Sequence, residues 1–210
     1  MIIEILIALV LGYLIGSFPT AYVLLKKYKN INITETGSGN VGAMNSFEVT
    51  GSKSTGIIVF AIDFLKGFLP AAAAYFIFEM NFDFCGALLL GLVLGHCFSF
   101  VIKFKGGRGL ATALGGSVLI APAIPVLWII FWSIAFLFKK NIHFGNIAAT
   151  LLTLILNITS ADILIKYLIL EPSSEGYYIF ISTGILGTIL IKHYKPIKDY
   201  LGKIKSAEVN

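Results

Sequence analysis

KFKGGRGLATALGG, residues 103–116, places three cationic side chains and five glycines between two long apolar stretches. The cations are Lys103, Lys105 and Arg108. Charged side chains are costly inside a bilayer, and glycine weakens a helix. We therefore expect the chain to turn here at a membrane surface, and we expect the turn to bind an anion.

Residues 103–116 are best suited to bind phosphate. We call them the second glycine segment, because another glycine segment precedes them in the chain. Its glycines allow the backbone to approach a ligand closely, and Arg108 offers a forked donor. A helix that begins near Leu110 would point its first N–H groups at the same ligand. The candidate phosphate-binding residues are Lys105, Gly106, Gly107, Gly109 and Thr112, with Arg108 as the principal cation. The alternative for Lys103 and Lys105 is that their ammonium groups reach the lipid headgroups.

The composition is that of an integral membrane protein. Hydrophobic residues make up 57% of the sequence and charged residues 13%, whereas about a quarter of a soluble domain is charged. Membrane lipid is therefore the partner expected for the net charge of +5, and nucleic acid is not. Cys85 and Cys97 stand in apolar surroundings at a spacing that predicts buried free thiols, without a metal site or a disulfide framework.

Seven apolar runs predict an all-α fold with seven transmembrane helices in a single domain, residues 1–210. The two prolines Pro122 and Pro125 divide the long run 110–138, because proline removes a backbone donor and clashes with the preceding turn. The N-terminal run has no basic start and no cleavage signal, so we expect it to be retained as a span. The predicted spans are residues 2–25, 55–78, 84–102, 110–121, 123–138, 146–170 and 177–191.

The distribution of charge predicts the orientation of these spans. The loops 26–53, 103–109 and 139–145 and the tail from Lys192 hold all but two of the 16 lysines and arginines. The alternate loops, 79–83, 122 and 171–176, hold none. Because basic loops stay in the cytoplasm, we expect the N-terminus outside and the C-terminus inside. A six-span alternative would place Lys139 and Lys140 outside.

A first glycine segment, GSGNVGAMN at residues 37–45, lies on the same predicted face. Its backbone and polar side chains suit an anion-binding nest, although the same residue types also form ordinary tight turns. The candidate residues of this segment are Gly37, Ser38, Gly39, Asn40, Gly42 and Asn45.

Four further polar residues lie in or near the spans. Asp63 and Lys66 stand three residues apart on one helical face, where pairing is the least costly way to bury both charges. We expect this pair to be structural rather than catalytic. His96 stands near a helix end, which favours a structural or capping role over a catalytic one. His193 lies where the last span meets the cytoplasm, close enough to join the site.

Together these segments resemble the bacterial acyl-phosphate:glycerol-3-phosphate acyltransferase family. The matching stretches are GSFPTAYVL, GSGNVGAMN, DFLKG and GHCFSFVIKFKGGRGLATALGG, with His193 as a final anchor. The resemblance implies seven helices with the N-terminus outside, in the bacterial cytoplasmic membrane. It also implies transfer of a fatty acyl group from acyl phosphate to the sn-1 hydroxyl of glycerol 3-phosphate, without a metal or cofactor. The products would be lysophosphatidic acid and phosphate.

The resemblance also implies roles for individual residues. Ser38 and Asn45 would be phosphate or hydroxyl ligands, Arg108 would stand where the family has lysine, and His193 would contact the glycerol moiety. The main departure is Glu48, which stands where the family has a phosphate-binding arginine. The other departures are Met44, Ser99, His143, Asn146 and Pro196.

These departures leave two other hypotheses open. The first is a degenerate paralogue that binds lipid or acyl phosphate without turnover, or that uses a changed acceptor. The second is a small anion transporter, suggested only by the spans and the charges within them.

Overall fold

The computed structural model describes residues 2–208, which form helices and turns with no strand among them. Four stretches are long and apolar enough to cross a membrane: Ile2–Lys29, Lys53–Ile77, Phe82–Ile102 and Ile142–Thr159. This confirms the prediction of an all-α chain built from membrane helices. The predicted domain limits at residues 1 and 210 lie just outside the described part. The helices are α1 (Ile2–Gly16), α2 (Thr20–Lys29), α3 (Ala43–Thr50), α4 (Lys53–Ala72), α5 (Phe82–Cys97), α6 (Leu110–Ile120), α7 (Ala123–Lys139), α8 (Ile142–Thr159), α9 (Ala161–Leu164) and α10 (Glu175–Glu208).

Breaks between helices occur at two places that contain proline. The helix α6 ends at Ile120 and α7 begins at Ala123, so the break at Pro122 is confirmed. The first span is also interrupted, because α1 ends at Gly16 and α2 begins only after Pro19.

Several predicted boundaries are wrong. The segment 139–145 is not a loop, because α7 extends through Lys139 and α8 begins at Ile142. The Asn141 side chain caps α8 by accepting a hydrogen bond from the Phe144 N–H at 3.0 Å. The helix α8 ends at Thr159, and the rest of the predicted span 146–170 is α9 and a short turn of 3₁₀ helix. The loop 26–53 contains α3, and α10 continues well beyond residue 191.

Small residues bring α1 and α5 into close contact. A Cβ atom added to Gly91 of α5 would lie 2.2 Å from the Leu9 carbonyl oxygen of α1. In return, a Cβ added to Gly12 of α1 would lie 2.2 Å from the Leu88 carbonyl oxygen of α5. Membrane helices associate through such small faces because lipid offers no hydrophobic drive between them. Nearly every side chain of α5 is buried, so α5 is the central helix of the bundle.

The connecting segments gather at two opposite ends of the bundle. At one end the two glycine segments meet, since a Cβ on Gly107 would lie 2.8 Å from the Val41 carbonyl oxygen. At the other end the backbone N–H of Ser173 donates to the Asp83 carboxylate at 3.1 Å, and the Tyr177 hydroxyl donates to the Asp83 carbonyl at 2.9 Å. The basic and acidic loops of the sequence are therefore segregated.

Candidate active site

A cavity of about 550 Å³ runs through the bundle from the end where the glycine segments meet. Its polar end, as we call it, is lined by Asn40, Gly42, Asp63, His96, Arg108, His143 and Asn146. The rest of its wall is mainly apolar and comes chiefly from α6, α7 and α10. The cavity therefore combines an ionic end with a long apolar interior.

Arg108 supplies the cation at the polar end. Its guanidinium is half-buried, and its Nη1 donates a hydrogen bond to His143 Nδ1 at 3.4 Å. Burial lowers the pKa of Arg108, while the charge of Glu48 raises it, and the guanidinium stays cationic. His143 was predicted in a loop, but it lies in the first turn of α8, which brings its ring to Arg108. Glu48 is exposed, and its charge acts on both Arg108 and His143.

Two helix N-termini open onto the same end of the cavity. The helix α6 follows Gly109, whose φ of 85° favours glycine, and no side chain caps it. The helix α3 follows Gly42, and no side chain caps it either. The first residues of both helices line the cavity. Because the first N–H groups of a helix lack intrahelical acceptors, both termini are suited to bind anions.

The Asn45 side chain holds the backbone of the first glycine segment in place through hydrogen bonds. This side chain is buried, and its Nδ2 donates to the carbonyl oxygens of Thr36 at 3.1 Å and Asn40 at 2.9 Å. Its Oδ1 accepts from the Ser38 N–H at 2.9 Å. Asn45 therefore organises the segment, whereas Asn40 reaches the cavity wall.

The remaining predicted residues of this segment form its exposed turn. Gly37 and Gly39 have φ values of 62° and 71°, in the left-handed region that favours glycine. Ser38 is exposed, and its Oγ accepts a long hydrogen bond of 3.4 Å from the Asn40 N–H.

Gly106 and Gly107 pack against the C-terminus of α5. This corrects the explanation from the sequence, which was that these glycines let the backbone approach a ligand. A Cβ on Gly106 would lie 2.2 Å from the His96 carbonyl oxygen, and a Cβ on Gly107 would lie 2.0 Å from His96 Nε2. The Gly107 N–H also donates to the His96 carbonyl at 3.0 Å. The close approach that these glycines permit is therefore an approach to protein.

Thr112 and Lys105 lie away from the cavity wall. Thr112 is fully buried, and its hydroxyl donates to the Asp63 carbonyl at 3.1 Å, which joins α6 to α4. This is a second correction, because a hydroxyl committed to helix packing is not placed for phosphate binding. The Lys105 side chain is exposed.

The predicted pairing of Asp63 with Lys66 is confirmed by a distance of 3.1 Å between Lys66 Nζ and Asp63 Oδ1. Lys66 Nζ also donates to the Phe18 carbonyl at 3.0 Å and lies 3.1 Å from His96 Nδ1. The Thr20 hydroxyl donates to Asp63 Oδ1 at 2.8 Å. Mutual neutralisation reduces the cost of burying these charges within the bundle. The network also fixes His96 behind the second glycine segment.

His193 stands one layer behind the cavity wall. Its Nδ1 carries the proton, because it bonds to the Ile189 carbonyl at 2.8 Å, and a carbonyl only accepts. Its Nε2 therefore accepts from Asn146 Nδ2 at 3.3 Å, and Asn146 Oδ1 accepts from Trp132 Nε1 at 2.8 Å. Asn146 thus links His193 to the cavity.

The sequence prediction omitted Trp132 from the site and named Asn146 only as a departure from the family. Asn146 lies three residues after His143, a spacing that puts both on one helical face. That signal was hidden because the sequence placed His143 in a loop.

The fold and this cavity define a helical integral membrane protein whose ionic and apolar surfaces suit an amphiphile with an anionic headgroup. The chain belongs to the glycerol-3-phosphate acyltransferase family, whose model matches residues 6–203. This confirms the resemblance carried by the four sequence stretches and His193.

Individual relatives agree with this assignment. The chain is 33% identical over 209 residues to a glycerol-3-phosphate acyltransferase of Streptococcus sanguinis, covering 98% of this chain and 90% of the relative. It is 37% identical over 146 residues to one of Aquifex aeolicus, covering 70% of this chain and 75% of the relative.

The fold is similar to that of PlsY (YgiH), described as an integral membrane glycerol 3-phosphate acyltransferase. The crystal structure of its glycerol 3-phosphate form matches with a TM-score of 0.76 at 30% identity, over 95% of this chain and 92% of that chain. Its lysophosphatidic acid form matches with a TM-score of 0.73 at 31% identity, with the same coverage of both chains.

Proposed function

We propose that this chain transfers a fatty acyl group from acyl phosphate to the sn-1 hydroxyl of glycerol 3-phosphate in phospholipid synthesis. The observation that carries the proposal is Arg108 and the uncapped N-terminus of α6, set together at the polar end of a long apolar cavity. Further support comes from the family and from a structural relative that has both a glycerol 3-phosphate form and a lysophosphatidic acid form.

The proposed reaction needs no nucleophile from the protein. Acyl phosphate is an activated mixed anhydride, so the sn-1 hydroxyl oxygen attacks its carbonyl carbon directly. A new ester C–O bond forms, the C–O bond to phosphate breaks, and the hydroxyl proton leaves with inorganic phosphate. Lysophosphatidic acid remains in the membrane. Positioning of the two substrates and stabilisation of the developing negative charge then account for catalysis.

The two uncapped helix N-termini suit the two phosphates of this reaction. We assign the donor phosphate to Arg108 and the first turn of α6, because the apolar cavity extends from them. We assign the phosphate of the acceptor to the first turn of α3, with Asn40 beside it. His143 orients Arg108 by accepting its hydrogen bond, and Asn146 connects His193, the proposed glycerol-side contact, to the cavity.

The remaining candidate residues support this arrangement in the proposal. Asn45 fixes the first glycine segment, and Ser38 lies on the exposed turn where a polar substrate enters from water. Gly109 provides the turn into α6.

We also propose that the whole chain is one domain with seven crossings of a bacterial cytoplasmic membrane, with its N-terminus outside. Support comes from the segregation of charge, since the basic loops gather with Arg108 and the acidic loops gather around Asp83. The short helices α6 and α7 then cross as a pair shielded by their neighbours.

Purified protein in liposomes tests the function directly. Palmitoyl phosphate and radiolabelled glycerol 3-phosphate should yield labelled lysophosphatidic acid, whereas palmitoyl-coenzyme A should not replace the acyl phosphate. Labelled glycerol without phosphate serves as the matched acceptor control. Absence of labelled product, beside an active reference acyltransferase, would refute the proposal. A product formed only from another acceptor would instead favour the hypothesis of a changed acceptor, which Glu48 motivates.

A further inference from the structure

We propose that α6 and the closed end of the cavity act as a ruler for the length of the acyl chain. This inference rests on the proposed function, because it assigns the apolar cavity to the donor's chain. We define the closed end by the four residues Phe82, Ala121, Ile124 and Tyr178. The distance along the cavity from Arg108 to this end would then limit the length of the acyl chains that can react.

The cavity follows α6 along its whole length. Lining residues occur at every turn of this helix, including Leu110, Ala113, Ser117 and Ile120, and Ala121 directly after the helix also lines the cavity. At about 1.5 Å per residue, the helix carries the cavity about 16 Å away from Arg108. The depth of the cavity is therefore set by a rigid element rather than by a flexible loop.

Residues at the starts of other helices line the far end of the cavity. The chain turns directly from Ala121 into α7, so Ala121 and Ile124 line one side. Phe82 at the start of α5 and Tyr178 near the start of α10 line the other, with ring centroids 6.2 Å apart. Both aromatic side chains are buried, at 2% and 1% exposure, so the closed end is well packed.

Hydrogen bonds hold the aromatic walls in place. The Tyr178 hydroxyl donates to Asn157 Oδ1 of α8. Trp128 Nε1 donates to the Thr150 hydroxyl at 2.9 Å. A wall that is fixed in this way does not recede from a longer chain, which is the property a ruler requires.

Single phenylalanine substitutions at two depths test the ruler. Ala121→Phe fills the closed end, and Ser117→Phe fills the cavity about 6 Å closer to Arg108. With octanoyl, dodecanoyl and hexadecanoyl phosphate as donors, we expect Ala121→Phe to lower kcat/KM for the hexadecanoyl donor about tenfold or more, and to spare the octanoyl donor. We expect Ser117→Phe to lower the dodecanoyl rate as well.

Val118→Phe is the matched control, because Val118 is on the same helix, is 40% exposed and does not line the cavity. Its preference among the three donors should equal that of the wild type. Equal losses for all three donors in Ala121→Phe, or an unchanged preference in both cavity variants, would overturn the ruler.

Binding of alkyl phosphates keeps the ruler testable if acyl transfer fails. Octyl, dodecyl and hexadecyl phosphate lack the reactive carbonyl, and their binding to each variant is measured by calorimetry. Loss of hexadecyl phosphate binding in Ala121→Phe, with octyl phosphate binding retained, would support the ruler even if the wild type catalyses no transfer. Equal affinity of wild type and both variants for all three compounds would refute it.

Discussion

Arg108 supplies the positive charge of the candidate site and stands in the connection between α5 and α6. It follows the glycines that pack on α5 and precedes the first turn of α6. Its half-buried guanidinium is less well hydrated than an exposed one, so a phosphate that enters the cavity gains more from it.

We predict that Arg108→Ala lowers kcat/KM for acyl transfer about 10- to 100-fold, because a charged hydrogen bond contributes about 1.5–3 kcal/mol. Arg108→Lys should retain more activity than Arg108→Ala, because lysine keeps the positive charge although it lacks the forked donor. Steady-state kinetics of both variants check this, with thermal unfolding to confirm that they fold. Equal activity of Arg108→Ala and wild type would show that Arg108 has no role in the reaction.

Glu48 should weaken the binding of the acceptor phosphate, since it lies in α3, whose first turn we assign to that phosphate. We predict that Glu48→Gln lowers KM for glycerol 3-phosphate about two- to fivefold at low ionic strength, in keeping with the modest energy of exposed charges. The effect should shrink in high salt, because exposed charges are screened.

Glu35→Gln is the control for this change, because Glu35 is an exposed carboxylate of the same connecting segment. Its KM should stay at the wild-type value. A higher KM in Glu48→Gln would mean that the Glu48 carboxylate contacts the acceptor favourably.

At the scale of the helices, the sequence predicts features that depend on residues close together in the chain. It does not predict features that depend on contacts between helices. The break at Pro122 and the Asp63–Lys66 pair were predictable, because both follow from residues near each other in the chain. The packing role of Gly107 was not, since its partner His96 lies on another helix. The helix α3 was missed because its eight residues follow a glycine- and asparagine-rich turn.

The boundaries of α8 were missed for a related reason. Lys139 and Lys140 indicated a loop, yet Lys139 completes α7, and Lys140 adopts the left-handed conformation that ends it. Two residues, Lys140 and Asn141, suffice for the connection. This shift places His143 beside Arg108, so an error of a few residues in a boundary concealed part of the site.

The contact between α1 and α5 gives a prediction at this scale. Gly91→Ala places a Cβ atom 2.2 Å from the Leu9 carbonyl oxygen, so the helices must separate. We predict a loss of about 1–3 kcal/mol in the free energy of unfolding, the usual cost of overpacking. Unfolding in mixed detergent micelles measures it.

Gly187→Ala is the matched control within a helix. A Cβ atom at Gly187 meets no other atom within 4 Å, so alanine should be neutral or stabilise by about 0.5–1 kcal/mol. Equal stability of the two alanine variants would contradict the close contact between α1 and α5.

At the scale of the whole molecule, the two ends of the bundle differ in charge. The basic end carries the cavity's polar residues, and the acidic end is joined through Asp83. The proposed orientation exposes the polar end to the cytoplasm, where a water-soluble acceptor is available.

Reporter fusions check this orientation. We predict that alkaline phosphatase fused to the C-terminus is inactive in bacterial cells, while a fluorescent protein fused there is bright, because basic loops remain in the cytoplasm. Alkaline phosphatase inserted in the acidic segment 171–176 should be active. The reverse pattern would contradict the proposed orientation.

Release of inorganic phosphate from palmitoyl phosphate tests the central claim, that the polar end joins a donor and an acceptor for direct acyl transfer. The measurement uses purified protein in liposomes, with and without glycerol 3-phosphate, and lysophosphatidic acid is quantified in the same samples. We predict phosphate release that depends on glycerol 3-phosphate and that equals lysophosphatidic acid formation one for one. Phosphate release that is independent of glycerol 3-phosphate, or the absence of lysophosphatidic acid, would contradict the account.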